Sequence, residues 1–367
     1  MTIDIAIIGA GFSGLSLAHT LSTSNLKVVA IERKLIYPDA FRAEKIELDQ
    51  AKIMGSLGIL QYRSPCDAPI GIIDSIENNN FSKIDTIEQY GISYSETVNN
   101  LRAELPDSIK ILNKSIINIT DSDNKKTLHF NDNSTLEAKI VVLCTGGNNK
   151  LTNLLGIQRV IDEKLKSLSF GFDISRVDES DFNFNGLNYH VNDVASKINY
   201  ITIFPIGDRM RVNLFTQLDT KDKLAYKLKN NTIETLESCF PNIFKHTGEI
   251  EITSKIQIMP TQFYRVKNHI KKGLVVLADE YQSVNPVTGK GLSKVLTDVK
   301  LLGQKYLPQW IEKNDCSIQK IRQFYNDPEK VSCDKDSLYS WIHYYQNISL
   351  NKLSLIHKLK LKCLIYC

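Results

Sequence analysis

Gly9, Gly11 and Gly14 separate two apolar runs of different period. Ile3 to Ile8, before them, is a short apolar run of strand character; Leu15, Leu17, Ala18 and Leu21, after them, recur at helical spacing. A second β-rich run, Lys27 to Ile31, ends in Glu32. Strand, glycine turn, helix, strand and acid in this order make a phosphate-binding unit. Gly9 permits the tight turn, Gly11 lets backbone approach a pyrophosphate, and Gly14 lets helix and strand pack closely. Phe12 and Ser13 open a helix whose free N–H groups and positive dipole end face the phosphates. Glu32 accepts both hydroxyls of an adenosine ribose and repels a 2′-phosphate, which disfavours NADP here; Arg33 follows it at the same mouth. The ligand is an ADP-containing dinucleotide, and this segment alone fits NAD and FAD equally.

A second glycine-rich segment lies late in the chain. The apolar run Leu274 to Ala278 ends at Asp279, and Pro286-Val287-Thr288-Gly289-Lys290-Gly291-Leu292 leads into a helical pattern through Val295, Leu296, Val299 and Leu302. An acid at a strand end suits a polyol hydroxyl, and a glycine loop at a helix N-terminus suits an electron-rich ring edge. Here the chain resembles the flavoprotein monooxygenases of the p-hydroxybenzoate hydroxylase superfamily, which carry Gly-Asp followed by Pro-x-x-Gly-x-Gly. The resemblance assigns Asp279 to the ribityl chain of FAD and Pro286, Gly289, Lys290, Gly291 and Leu292 to the isoalloxazine. It also assigns Arg42, in Phe41-Arg42-Ala43-Glu44, to the pyrophosphate, a role that a guanidinium fork suits. Thr145 and Gly146 occupy the place of the family's Asp-Gly segment. Thr145 replaces the Asp, which puts direct NAD(P)H use in doubt, and Val98 stands where an Arg often opens the preceding helix. Asn285 to Gly291 is also similar to the styrene/indole monooxygenase branch, whose members receive reduced FAD from a separate reductase.

The resemblance implies a flavin C4a-hydroperoxide that delivers one oxygen atom of O₂ to a small aromatic or alkene-like substrate. NADH or NADPH would supply electrons, directly or through a partner flavin reductase. The alternatives are an FAD-dependent dehydrogenase or reductase of the same fold, and a non-catalytic flavin-binding protein. No protein nucleophile is needed, and the sequence holds no Ser/His/Asp elbow, no HExxH motif and no metal-ligand spacing. Tyr264, Tyr281, Gln282, Pro286, Arg209 and His190 are the candidates to line the substrate side.

The elements that must position these residues define an α/β chain: a Rossmann-like FAD-binding domain with an inserted β-rich substrate domain and a C-terminal helical tail. The expected FAD pieces are 1–63, 96–155 and 266–310, and the lid is 64–95 and 156–265. Within them, 110–118 with 126–130 reads as a meander, 199–205 with 209–215 as a hairpin, 221–238 as one helix, and 250–259 as one strand. Residues 311–367 form the tail, with apolar and Lys residues mixed at its end, where a membrane-surface helix is an alternative to a packed one. The 367 residues carry 45 Lys+Arg against 41 Asp+Glu, a net charge of +4 that argues against a nucleic-acid binder. No apolar run is long enough to span a bilayer, the first residues do not read as a signal peptide, and seven scattered cysteines fit reduced thiols. A cytoplasmic protein is expected.

Overall fold

The computed structural model describes residues 3–64, 70–77, 80–87, 89–122, 124–191 and 196–348. Its early strands are β1 (Ile3–Ile8), β2 (Val28–Ile31), β3 (Lys45–Glu47), β4 (Gly71–Glu77), β5 (Asn80–Ile87), β6 (Gln89–Gly91) and β7 (Lys110–Leu112). Next come β8 (Ile116–Ser122), β9 (Lys125–Phe130), β10 (Thr135–Leu143), β11 (Gln158–Arg176) and β12 (Gly186–His190). The last are β13 (Ile198–Ile206), β14 (Arg209–Thr216), β15 (Ile250–Ile252), β16 (Gln257–Lys267) and β17 (Leu274–Val276).

Among the described residues two large sheets form. In the first, β7, β2, β1, β10 and β17 lie side by side and parallel, and β9 and β8 extend β10 antiparallel. Ile5, Ile7, Val29, Val142 and Val275 are buried, as near-continuous apolar strands must be when both faces are covered. Ile8 pairs with Leu143, and Leu143 with Val276, so three chain segments leave the sheet at one edge: the Gly9 turn, Cys144–Thr145, and Leu277–Asp279. Ligands of open α/β sheets bind at that carboxyl edge. Gly9 turns there at φ +100°, and a Cβ on it would stand 2.5 Å from the Cys144 carbonyl oxygen. A Cβ on Gly14 would stand 1.9 Å from the Gly9 carbonyl, so α1 (Phe12–Leu21) packs this closely only with glycine.

The second sheet runs β15-β11-β14-β13-β12-β4-β5, with β16 on β11. β11 and β16 are long and pair from Gln158–Lys267 to Gly171–Gln257, with a register shift after Ile161. Helices α2 (Leu48–Ser56), α3 (Tyr94–Ala103) and α4 (Lys150–Leu154) lie between the strands of the first half, and α5 (Lys223–Asn230), α6 (Thr232–Cys239) and α7 (Ile243–Thr247) cover one face of the second sheet. The chain ends in α8 (Lys290–Lys300), a π-helical turn over Leu301–Tyr306, α9 (Leu307–Glu312), α10 (Ile318–Tyr325) and α11 (Pro328–Ile348).

Three local expectations differ. Residues 110–118 do not form one strand: Lys110–Leu112 completes the parallel sheet beside β2, and only β8, β9 and β10 form the meander. The helix expected over 221–238 breaks at Asn231, which leaves helical geometry (φ −131°, ψ 56°) and opens the next helix. The strand expected over 250–259 is interrupted because the Ser254 hydroxyl turns to accept the Asp173 N–H at 2.8 Å. The basic end, 349–367, lies outside the described residues. Among those described, no helix is long and apolar enough to cross a membrane.

Candidate flavin and substrate site

Glu32 ties the first cradle together. Its carboxylate accepts the Ala10 N–H at 3.0 Å and the Lys34 N–H at 3.1 Å, which still leaves lone pairs for ribose hydroxyls. Gly11 caps α1 without a side-chain partner, and its Cβ position is open, with Tyr37 nearest at 3.9 Å. Phe12 is buried against Tyr94, Ser13 lies beside the buried Cys144 thiol, and Arg33 is exposed beyond Glu32.

Asp279 projects from the same edge. Its carboxylate has no hydrogen-bond partner among the described residues, while its backbone carbonyl accepts the Tyr264 hydroxyl at 2.5 Å. Burial pushes its pKa up, and the charges of Lys294 and Arg42 pull it down. Arg42 is exposed across the cradle, with Nη1 3.5 Å from the Met259 sulfur. Thr145 donates its N–H to Glu280 at 2.6 Å, and Gly146 and Gly147 have nothing within 4 Å of their Cβ positions. Arg159 holds those two glycine carbonyls and lies over the Tyr264 ring at 4.2 Å, on the wall of a cavity of about 580 Å³.

The loop before α8 completes the cradle. Asn285 accepts the Val287 N–H, Pro286 opens a 3₁₀ turn, and Gly289 takes a left-handed φ of +64° with no side-chain cap on α8. Lys290 is exposed, Leu292 is buried, and Gly291 has open space at its Cβ position. Gln50 fixes the loop by donating to the Gly289 carbonyl at 3.2 Å and to Ser293 at 2.9 Å.

The second sheet roofs this loop. Strand alternation sends Ile201, Ile203, Val212 and Leu214 into the core under α5–α7. The opposite face carries polar and aromatic side chains in register rows: His190, Tyr200, Phe215, Ser169, Met259; then Asn188, Thr202, Asn213, Gly171, Gln257; then Phe204, Arg211, Asp173. The Tyr200 hydroxyl donates to the Val287 carbonyl at 3.4 Å and joins the first row to the loop. At the third row, Arg211 is buried between Glu44 (2.8 Å) and Asp173 (3.1 Å).

The sequence candidates therefore divide. Tyr264, Pro286 and His190 stand at the cradle or the roof. Arg209 sits exposed at the hairpin end, paired with Asp173 at 3.2 Å and three rows from the Tyr200 row that meets the loop. Tyr281 and Gln282 turn away from the cradle and are fully buried. Tyr281 packs on Arg265, Lys294 and Lys330, and Gln282 donates to the Asp334 carbonyl of α11. Four cradle residues escaped the sequence reading. Asn99 accepts the Tyr37 N–H and donates to the Tyr37 carbonyl, which places Tyr37 and Tyr94 beside Gly11. Arg102 donates to the Ala10 carbonyl at 2.6 Å and to those of Lys34 and Leu35. It sits one helical turn beyond Val98, where an Arg was sought, and that offset is the signal that could have found it.

Two family models divide the chain. The pyridine nucleotide-disulphide oxidoreductase family matches residues 3–181, and the squalene epoxidase family matches 188–366. Mouse squalene monooxygenase is 23% identical over 321 residues, 82% of this chain and 54% of that protein. The chain thus spans about half the length of the first curated relatives. Digeranylgeranylglycerophospholipid reductase of Methanosarcina acetivorans is 21% identical, covering 88% of this chain and 79% of its own. The crystal structure of p-nitrophenol 4-monooxygenase from Pseudomonas putida superposes with a TM-score of 0.73 at 16% identity, over 99% of this chain and 93% of that one. The chain has an FAD-binding fold. More narrowly, its fold is the one seen in that p-nitrophenol 4-monooxygenase.

Proposed function

We propose that this protein is an FAD-dependent monooxygenase that adds one oxygen atom from O₂ to a small organic substrate. The observation that carries it is the convergence of the Gly9–Gly14 turn, the partnerless Asp279 carboxylate and the uncapped Gly289 loop on one sheet edge beneath a polar, aromatic roof. The residues fit FAD: Glu32 for the adenosine ribose, the α1 N-terminus with Gly11 and Arg42 for the pyrophosphate, Asp279 for the ribityl chain, and residues 286–292 for the ring. Bound and reduced FAD supplies the activation of O₂ and the oxygen transfer. The chain's own work is to hold the substrate against the Val287–Gly289 loop, to exclude water with the roof, and to stabilise negative charge at the ring edge with the free N–H groups of α8. Arg33, Thr145, Gly146 and Lys290 border the same groove.

Asp279→Ala is expected to purify with little flavin absorbance. Stoichiometric FAD in that variant would overturn the assignment. A second reading, an FAD-dependent reductase, is favoured by the similarity to the archaeal reductase. Anaerobic turnover with an artificial acceptor would support it, whereas substrate-coupled O₂ uptake with an oxygen atom added to product supports the monooxygenase. We further infer that a partner flavin reductase supplies electrons, supported by Thr145 in place of an Asp. Bleaching of the bound flavin by NADH or NADPH alone would refute that.

A further inference from the structure

We propose that Met259 is a redox-modification site: hydrogen peroxide converts its thioether to the sulfoxide, which draws Arg42 away from the FAD pyrophosphate and weakens cofactor binding. This rests on the FAD reading above and adds a control to it.

The chain is anchored on both sides of Arg42, and only its side chain is left to move. Asp39 accepts the Gln257 side-chain N–H at 3.0 Å. Phe41 is buried against the second sheet, where a Cβ on Gly171 would stand 2.8 Å from its ring and the Arg211 guanidinium lies 5.4 Å from the ring centre. Glu44 pairs with Arg211 at 2.8 Å. These contacts hold residues 39 to 44 against the roof. The Arg42 side chain is exposed, and its one hydrogen-bond partner among the described residues is the Met259 sulfur, 3.5 Å from Nη1. The guanidinium therefore has this sulfur and a phosphate to choose between. A thioether is a weak acceptor and a phosphate a strong one, so the unmodified chain favours the phosphate.

Met259 is also the methionine placed to react. It lies half-buried on β16 between exposed Ile258 and Pro260, and at this point β16 pairs with β11 alone, so its outer edge is open among the described residues. Met54 is fully buried, and Met210 packs on the core under α5–α7; Met1 lies outside the described residues. Attack by hydrogen peroxide forms an S–O bond and breaks the O–O bond: the sulfur loses two electrons, and the other oxygen leaves as water. The oxidant has a local source, because reduced flavin that meets O₂ without substrate passes it two electrons and two protons. The sulfoxide oxygen is a strong acceptor within reach of the same guanidinium. It holds Arg42 against β16, and that charge-assisted hydrogen bond must break before Arg42 can fork onto a phosphate.

The test strips FAD from the full chain, treats one half of the sample with dilute hydrogen peroxide, removes the peroxide with catalase, and titrates both halves with FAD followed by flavin fluorescence. Peptide mass spectrometry is expected to find one added oxygen at Met259 ahead of Met54 and Met210. The dissociation constant for FAD should rise at least about threefold on oxidation, and methionine sulfoxide reductase should restore it. Met259→Leu should show no rise when compared with its own untreated form. Arg42→Met should bind FAD more weakly from the start and lose nothing further when Met259 is oxidised. No oxygen at Met259, an unchanged dissociation constant with Met259 oxidised, an equal rise in Met259→Leu, or a rise that persists in Arg42→Met overturns the inference. An untreated wild-type chain that fails to bind FAD sinks the FAD reading and this inference with it, so the two failures are distinguishable.

Discussion

Glu280 shows how far burial can move one side chain. It is fully buried; one carboxyl oxygen accepts the Thr145 N–H and the other has no partner among the described residues. Burial pushes it up from 4.5 to about 7, and the bonds from Thr145 only partly oppose that. A carboxyl raised in the folded state is favoured there as the neutral acid. Its contribution is complete below the unfolded value near 4.5 and is lost as pH rises through about 7. Glu44, buried beside Arg211, is also pushed up to about 7 and titrates in the same window, so wild type must be compared with a variant. Glu280→Gln keeps an acceptor for Thr145 and removes the charge. Its thermal midpoint should match wild type near pH 5 and exceed it at pH 8 by more than about 1 kcal/mol, roughly 2–4 °C in a chain of this size. Identical pH profiles would show that Glu280 is not the titrating group.

At the scale of elements, α8 and α11 are joined by a buried quartet. Lys330 Nζ meets Asp298 at 2.7 Å and Asp334 at 3.2 Å, and Lys294 meets Asp334 at 3.2 Å and Asp298 at 3.5 Å. The charges cancel, so burial is tolerable only while all four remain. The quartet also grips the strand end that presents Asp279. Asp298 accepts the Ala278 N–H and Lys294 donates to the Ala278 carbonyl, which holds Ala278 at φ +54°, a left-handed geometry costly for a residue with a Cβ. Lys330→Met should destabilise the fold by about 3–5 kcal/mol in denaturant unfolding. Adding Asp298→Asn should recover part of that loss, and a single variant as stable as wild type would refute the coupling. The same element explains what the sequence hid. The glycine segments were legible because backbone approach to a phosphate demands a local spacing. Tyr281 and Gln282 stand directly after Asp279 and read as site residues, yet their surroundings come from α11, about fifty residues on.

For the whole molecule, sheet membership suggests how the chain is divided. We propose that 1–63, 96–155 and 266–310 make one unit and 64–95 with 156–265 the other, supported by β1, β2, β7–β10 and β17 sharing one sheet while β4, β5 and β11–β16 share the second. The ribbon of β3 and β6 carries Lys45 and Glu47 between them. The helical remainder touches both: Gln217 of the second sheet's end donates to the Tyr344 carbonyl, Trp341 packs on Phe263, and the Tyr325 hydroxyl of α10 accepts the Val276 N–H of β17 at 2.8 Å. The three segments of the cradle come from the first unit, and the roof comes from the second. A cofactor held by Glu32, Arg42 and Asp279 with its ring under Tyr200 would therefore be gripped by chain segments nearly 250 residues apart and would favour the folded state by mass action. At free FAD a hundredfold above its dissociation constant, stabilisation of about 2.7 kcal/mol is expected. Stripping FAD should lower Tm by at least about 5 °C, from roughly 2–4 °C per kcal/mol. Restoring it should reverse the shift, and Asp279→Ala should melt like the stripped wild type whether or not FAD is added. Equal midpoints for the loaded and stripped wild type would mean that the cradle does not bind FAD preferentially in the folded state.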